Sequence, residues 1–294
     1  TGHADLVELQ DGRWYMVALG IRNDFMGTSN MGRESHLIPV NWETAVSGWE
    51  EVEDGVWQPI EYYWPVCAPE TGKVERSTPL PFAGSSQIYN DVFYDDFESE
   101  KLELAWNFRR FPTNSFFRLL PSESKLRLRL NSAKFALRES YNLMGFRQKE
   151  TDFSYEVKMS FNPIDEFSEA GISVFQQDDN YLNFTLVLEE KQPKIVLNYQ
   201  EPSKEASVLM KKVVKDYSGE IIFKITSKND RYQYAYSLDN GQSFQEFYTS
   251  EASLVLCKGY IGTNLGVYAT SALDTTDDFA DFDWVKYKGT TRKN

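Results

Sequence analysis

With 294 residues, a formal net charge of −13 and a sequence pI near 4.8, the chain is long enough for two domains, and its charge opposes a polyanionic phosphate backbone. No Lys/Arg run interleaves with aromatics, which excludes a nucleic-acid groove, and no apolar run approaches the roughly 18 residues that a membrane helix needs. Hydrophobic residues at 41% and aromatics at 15% favour β-structure, and as ligands they favour flat, uncharged molecules such as sugar rings.

Asp5-Leu6-Val7-Glu8-Leu9 alternates, Gln10-Asp11-Gly12 has turn composition, and Trp14–Leu19 is an apolar return strand, so the chain opens with a predicted hairpin. After the small-residue loop Gly27–Gly32, a second extended run, Ser35–Trp42, continues the pattern of a propeller blade. From Thr44 to Ser86 the periodicity fades, and Pro59, Pro65, Pro69, Pro79 and Pro81 exclude a helix interior or a central strand, so this stretch reads as a connector. From about Asp91 onward, period-two runs recur: Lys125–Leu130, Phe153–Met159, Tyr181–Leu188, Glu220–Ile225 and Arg231–Ser237, the last closed by the turn Leu238–Gln242. Strands at this spacing predict a sandwich and an all-β chain.

The two cysteines, Cys67 and Cys257, lie far apart with no CxxC spacing, and they read as ordinary buried thiols. The sequence starts at Thr1 without a Met or a signal-like segment, so residues upstream are expected to have been removed.

Collinear motifs carry a resemblance. Thr1-Gly2-His3-Ala4-Asp5-Leu6-Val7-Glu8, then Gly12-Arg13-Trp14-Tyr15, then Met31-Gly32-Arg33-Glu34-Ser35 resemble the last part of the five-bladed propeller of glycoside hydrolase family 43. The family's closing Trp-Glu is present as Trp42-Glu43, but the Gly-Trp-Pro it leads to is split here: Gly48-Trp49 and Trp64-Pro65-Val66 flank an acidic, aromatic stretch that reads as a loop insertion. Asp95-Asp96-Phe97, the Tyr236–Gly241 hairpin and Ala280–Tyr287 are similar to the concanavalin-like sandwich of xylosidase and arabinofuranosidase members. The implied fold is the terminal part of a five-bladed β-propeller with its connector (1–82), a linker (83–90), a concanavalin-like (jelly-roll) β-sandwich (91–289) and a tail (290–294).

The resemblance implies an inverting hydrolase acting on xylan- or arabinan-type polysaccharide, its carboxylate pair separated widely enough to admit a water. Those carboxylates match blades upstream of residue 1, so none is assigned here, and the missing N-terminal blades are the expected partner, together with a xylo- or arabino-oligosaccharide. Arg33 matches an arginine that reaches the sugar at the cleavage point, where its planar fork suits hydroxyls. His3 matches a histidine lying, through water, against a calcium ion on the propeller axis. Asn264 stands where some xylosidases project an aromatic residue toward the pocket, a departure that leaves arabinose specificity equally open.

In the sandwich, Asp281 and Asp283 alternate with Phe282 and Trp284, which predicts both carboxylates on one face and both aromatics on the other. With Asp96 they are candidate ligands for a structural Ca²⁺. Glu34, His36 and the acidic loop of Asp274, Asp277 and Asp278 are given no function, and no organic cofactor is expected. The polymeric substrate implies a secreted or periplasmic setting. The competing readings are a carbohydrate-binding sandwich without catalysis and a structural one.

Overall fold

A computed structural model describes residues 1–22, 29–75, 77–82, 92–112, 116–133, 135, 141–256, 261–273 and 276–290. The expected linker, most of the tail, Cys257 and Asp274 lie outside these residues. The chain divides into two compact units, Thr1–Arg22 with Arg33–Ile88, and Asn23–Gly32 with Tyr89–Asn294.

The first unit is a four-stranded antiparallel meander in the order β1-β2-β3-β4, the form of a propeller blade. Its strands are β1 (Gly2–Glu8), β2 (Trp14–Ile21), β3 (Arg33–Glu53) and β4 (Val56–Cys67). The first turn forms as its sequence predicts: the Gly12 amide donates to the Leu9 carbonyl at 2.9 Å, and Gly12 takes a φ of +82°, which glycine adopts without penalty. Tyr15, Ala18, Ile38 and Val40 supply the buried side chains of this sheet.

The connector expected from Thr44 is corrected by the structure. Residues up to Cys67 form a long hairpin, with Trp42 opposite Pro65, Trp49 opposite Pro59 and Glu53 opposite Val56. Pro59 and Pro65 fit because β4 is the edge strand, where a missing N–H breaks no ladder. Periodicity fades because both faces of the arm are exposed, Trp49, Trp57, Tyr63 and Trp64 among them, so no buried face imposes alternation.

The second unit is a sandwich of two antiparallel sheets. Its strands are β5 (Val92–Asp95), β6 (Trp106–Asn107), β7 (Phe117–Leu120), β8 (Lys125–Arg129), β9 (Leu143–Arg147), β10 (Asp152–Ser160), β11 (Ser168–Gln177) and β12 (Asn180–Glu189). They continue as β13 (Gln192–Gln200), β14 (Ser207–Val213), β15 (Glu220–Lys228), β16 (Arg231–Ser237), β17 (Gln245–Glu251), β18 (Asn264–Ser271) and β19 (Phe279–Thr290). One sheet runs β17-β16-β15-β10-β19-β8-β7, with β5 also on β19; the other runs β14-β13-β12-β11-β18-β9-β6. Among the described residues the only helical pieces are short 3₁₀ turns.

The core lies between the sheets and absorbs most of the aromatic load, because the largest fully buried side chains are all Tyr or Phe. β10 shows how the sequence builds it: Phe153, Tyr155, Val157 and Met159 point in, and Ser154, Glu156 and Lys158 point out. The centre of the other sheet, β11, is buried almost throughout, since a second cluster of Phe135, Tyr141, Leu143, Phe175 and Tyr268 forms beside the main core.

The expected alternation along Asp281–Trp284 does not hold. Met159 pairs with Phe282 while Lys158 pairs with Trp284, so Asp283 is an extra residue in a β-bulge. The bulge changes the phase: Ala280 and Phe282 point into the core, Val285 and Tyr287 resume inward beyond it, and Trp284 is left outside the core. The two aromatics therefore lie on opposite faces.

Candidate functional site

The arginine singled out by the sequence, Arg33, is the first residue of β3 and is half-buried. Beside it Glu34 pairs locally: Arg22 donates Nε to Oε2 at 2.7 Å and Nη2 to Oε1 at 2.8 Å, a bidentate bridge from the end of β2 to the start of β3. This bridge joins the two strands where the chain re-enters the blade. His36 packs its ring over Gly20, where an added Cβ would lie 2.8 Å from the ring, so its role is packing. His3 is exposed on β1 with a φ of 54°, beside an irregularity in the pairing with β2.

Two of the three expected calcium carboxylates, Asp281 and Asp283, pair with cations. Asp281 receives Arg127 Nε at 2.7 Å and Nη2 at 2.8 Å, and the guanidinium lies 3.7 Å over the Phe279 ring. Asp283 faces Lys158 at 3.3 Å, and Asp96 accepts the Glu98 amide at 3.3 Å. Calcium needs six to eight oxygen ligands. Among the described residues no three His, Cys, Asp or Glu side chains gather in an arrangement that would hold a metal. Asp95 explains its motif structurally, accepting the Phe97 amide at 2.9 Å and the Trp106 indole N–H at 2.7 Å. Asp278 accepts the Ile164 and Phe279 amides, and burial raises its carboxyl above the usual range.

Sequence reasoning missed a buried polar network on the sandwich. The segment Ser29–Gly32, part of the second unit, is held there by side chains and backbone from distant positions. The Thr263 amide donates to the Asn30 carbonyl at 2.7 Å, and Asn30 Nδ2 donates to Thr263 Oγ1 and to the Ala252 carbonyl, both at 3.2 Å. Gln176 Nε2 also reaches Thr263 Oγ1 at 3.5 Å, and Arg147 donates to the Met31 carbonyl. The Gln148 amide bonds the Thr263 carbonyl at 3.0 Å, and its side chain accepts the Tyr232 hydroxyl at 2.9 Å, so the network extends into the opposite sheet. Gly32 and Gly262 meet backbone to backbone: a Cβ on Gly32 would lie 2.3 Å from the Gly262 nitrogen, and one on Gly262 would lie 2.6 Å from the Met31 carbonyl oxygen. The available signal was small residues at both places, Gly32 and Gly262, without any indication that they meet.

Asn264 starts β18, donates Nδ2 to the Gly262 carbonyl at 3.2 Å, and lines a hollow of about 130 Å³ with Asn107, Arg109, Gly145 and Phe175. Near it Asp178 accepts Arg110 at 2.6 Å and the Tyr141 hydroxyl at 2.9 Å; burial opposes ionisation, yet these donors hold its carboxyl below the usual range. On the outer face of the β10 sheet, Tyr94, Phe244 and Trp284 surround a hollow of about 290 Å³ with Glu156, Lys286 and Asn240. Phe244 also borders a neighbouring hollow of about 460 Å³ lined by Gln233, Glu246 and Tyr248.

Residues 94–288 match the family model of the beta xylosidase C-terminal concanavalin A-like domain. Among curated proteins, the chain is 29% identical over 289 residues to the non-reducing end alpha-L-arabinofuranosidase BoGH43B of Bacteroides ovatus, covering 98% of this chain and 51% of that protein. It is 27% identical over 298 residues to a xylosidase/arabinosidase of Butyrivibrio fibrisolvens, covering 97% and 52%. A solved structure described as Bacteroides ovatus xyloglucan PUL GH43B superposes with a TM-score of 0.83 at 28% identity, covering 98% of this chain and 54% of that one. The chain thus spans about half the length of the relatives it matches. The expected fold class, the end of a propeller followed by a concanavalin-like sandwich, is the one these proteins share with it.

Proposed function

Because the chain belongs to the family of the beta xylosidase C-terminal concanavalin A-like domain, we propose that it is the C-terminal portion of an exo-acting glycoside hydrolase that removes pentose units from xylan- or arabinan-type polysaccharide. The observation that carries this reading is collinearity: one continuous match to an arabinofuranosidase and to a xylosidase/arabinosidase runs through blade and sandwich alike, over 97–98% of the chain.

The chemistry is inversion by two carboxylates, a base that activates water and an acid that protonates the leaving oxygen, set about 6.5–9.5 Å apart. Both belong to the half of the enzyme that precedes these residues. Within this chain, Arg33 supplies hydroxyl-directed donors to the sugar at the cleavage point, its strand end fixed by the Arg22–Glu34 bridge. His3 faces the propeller axis, and a polymer too large to enter cells sets the enzyme outside the cytoplasm.

One feature favours a second reading, in which the sandwich itself binds sugar. The hollow between Tyr94, Phe244 and Trp284 offers aromatic side chains beside Glu156, whose charge is balanced by Lys224 at 2.8 Å, and beside Lys286, a setting for a neutral polyhydroxylated ligand.

Hydrolysis of aryl β-xyloside and aryl α-L-arabinofuranoside by the upstream-extended protein, beside this chain alone, tests both readings. Turnover by the extended form only is the expected result. Turnover by the chain alone overturns the placement of acid and base. Inactivity of both, with retention of the chain on an arabinoxylan affinity gel, selects the binding module.

A further inference from the structure

We infer that the outer face of the sandwich sheet that contains β10 is a binding cleft for an extended stretch of neutral polysaccharide, laid across the strands over Trp284 and Phe244. This rests on the reading in which the sandwich binds sugar, and it names the ligand: a run of several sugar units rather than a single sugar.

The cleft is built on one rung of the sheet. Tyr94 of β5 pairs with Lys286 of β19, Lys286 with Glu156 of β10, and Glu156 with Lys224 of β15. Lys224 then pairs with Ala235 of β16, and Ala235 with Glu246 of β17. Paired residues share a face, so these side chains form one line at right angles to the strands, and at ~4.8 Å per strand spacing it is roughly 24 Å long, enough for several sugar units. Lys286, Glu156, Lys224 and Glu246 alternate in sign along it, and Lys224 meets Glu156 at 2.8 Å. A charge-balanced row gives donors and acceptors to hydroxyls without attracting a polyanion, which the net charge of −13 also repels.

Ala235 is the small member of the rung, and it lines a hollow of about 460 Å³ together with Gln233, Glu246 and Tyr248. The hollow of about 290 Å³ beside Tyr94 and Trp284 lies toward the other end, and Phe244 borders both. Two neighbouring hollows that share one ring suit a ligand that passes from one to the other, whereas a single sugar calls for one enclosing pocket.

The rings are set before a ligand arrives. The bulge at Asp283 leaves Trp284 outside the core. Phe244 follows Ser243, whose amide and hydroxyl donate to Asp239 at 2.9 and 2.5 Å, and Lys224 Nζ lies 4.6 Å from the centre of the Phe244 ring. Aromatic side chains fixed in this way offer apolar area to a sugar ring at little cost in lost motion. A second copy of the chain is a poorer occupant, because it would strip water from four charges without supplying hydroxyls in exchange.

The test is affinity electrophoresis of the upstream-extended protein through gels containing arabinoxylan, with polygalacturonate as the anionic control. Retardation by arabinoxylan alone is expected, relieved by xylohexaose at concentrations at least about ten-fold below those of xylose. Trp284→Ala and Phe244→Ala are each expected to weaken retardation about five- to ten-fold, and Ala235→Gln, which fills the second hollow and keeps every ring, about three-fold. Trp284→Phe, which keeps a ring and guards against a folding defect, should stay within about two-fold of the parent. A parent that arabinoxylan does not retard overturns the sugar-binding reading and the inference with it. A retarded parent whose ring and Ala235 variants are retarded equally leaves sugar binding standing and overturns this cleft. Xylose competing as well as xylohexaose overturns the extended ligand, and equal retardation by polygalacturonate overturns its neutrality.

Discussion

β1 and β10 are both antiparallel strands and end in opposite environments. In β10 every second side chain is sealed between two sheets, whereas every residue of β1 is exposed. The sandwich contains its own second layer: Phe184 of β12 meets Phe223 of β15 at 4.7 Å between ring centroids, across the gap between the sheets. The blade has only one sheet within its unit, and the buried side chains of that sheet are confined to β2 and β3, Tyr15, Ala18, Ile38 and Val40 among them. Alternation thus specifies which side chains share a face, and burial depends on what is laid against that face.

The sharpest way to break this comparison is to truncate an aromatic in each region. Phe184→Ala, in a fully buried position ringed by Phe223, Tyr234 and Phe247, is expected to cost about 3–5 kcal/mol in denaturant unfolding, whereas Trp57→Ala on the exposed arm should stay within about 0.5 kcal/mol. Comparable losses at both positions would mean that the arm is as tightly packed as the core.

Polar burial offers the next contrast. Asp281→Asn leaves Arg127 without its bidentate partner and is expected to cost about 2–3 kcal/mol, less than a fully buried pair because the Arg127 side chain keeps 34% exposure. Asp11→Asn in the blade removes a pair whose side chains are 50% and 51% exposed, and equilibrium unfolding should barely register it.

The smallest effect concerns pH. Burial raises the Glu169 carboxyl above its ordinary value, with the Thr185 and Tyr268 hydroxyls opposing the shift. A raised carboxyl pKa penalises the ionised folded state, so this contribution to stability is lost as pH rises above the unfolded value and up through the folded one. Glu169→Gln is therefore expected to melt on the order of 2 °C higher than the parent at about pH 8 and to converge with it near pH 4. A lower melting point at pH 8 would show that the ionised carboxylate is stabilising.

The sequence made β8, β10, β12, β15 and β16 readable because each has a buried face that enforces period two. It misplaced the β3–β4 arm, where neither face is covered, and it misjudged Trp284, because a bulge arises from pairing with a partner strand rather than from the strand's own residues. Glu34 and His36 carried no assigned function, and the structure gives the first an ion pair with Arg22 and the second a packing place over Gly20. The Asn30–Thr263 link was not, since 233 positions separate two polar residues whose meeting only the folded sandwich defines.

The exposed arm also decides how this protein can be watched. Of its seven tryptophans, Trp14, Trp42, Trp49, Trp57 and Trp64 belong to the blade unit, and the sandwich holds Trp106 and Trp284. Indole emission is therefore mainly a reporter of the blade and its arm, while the sandwich, with its tyrosine-filled interior, is followed through near-ultraviolet dichroism. Recorded together on one sample, the two signals separate the melting of one unit from that of the other without any label.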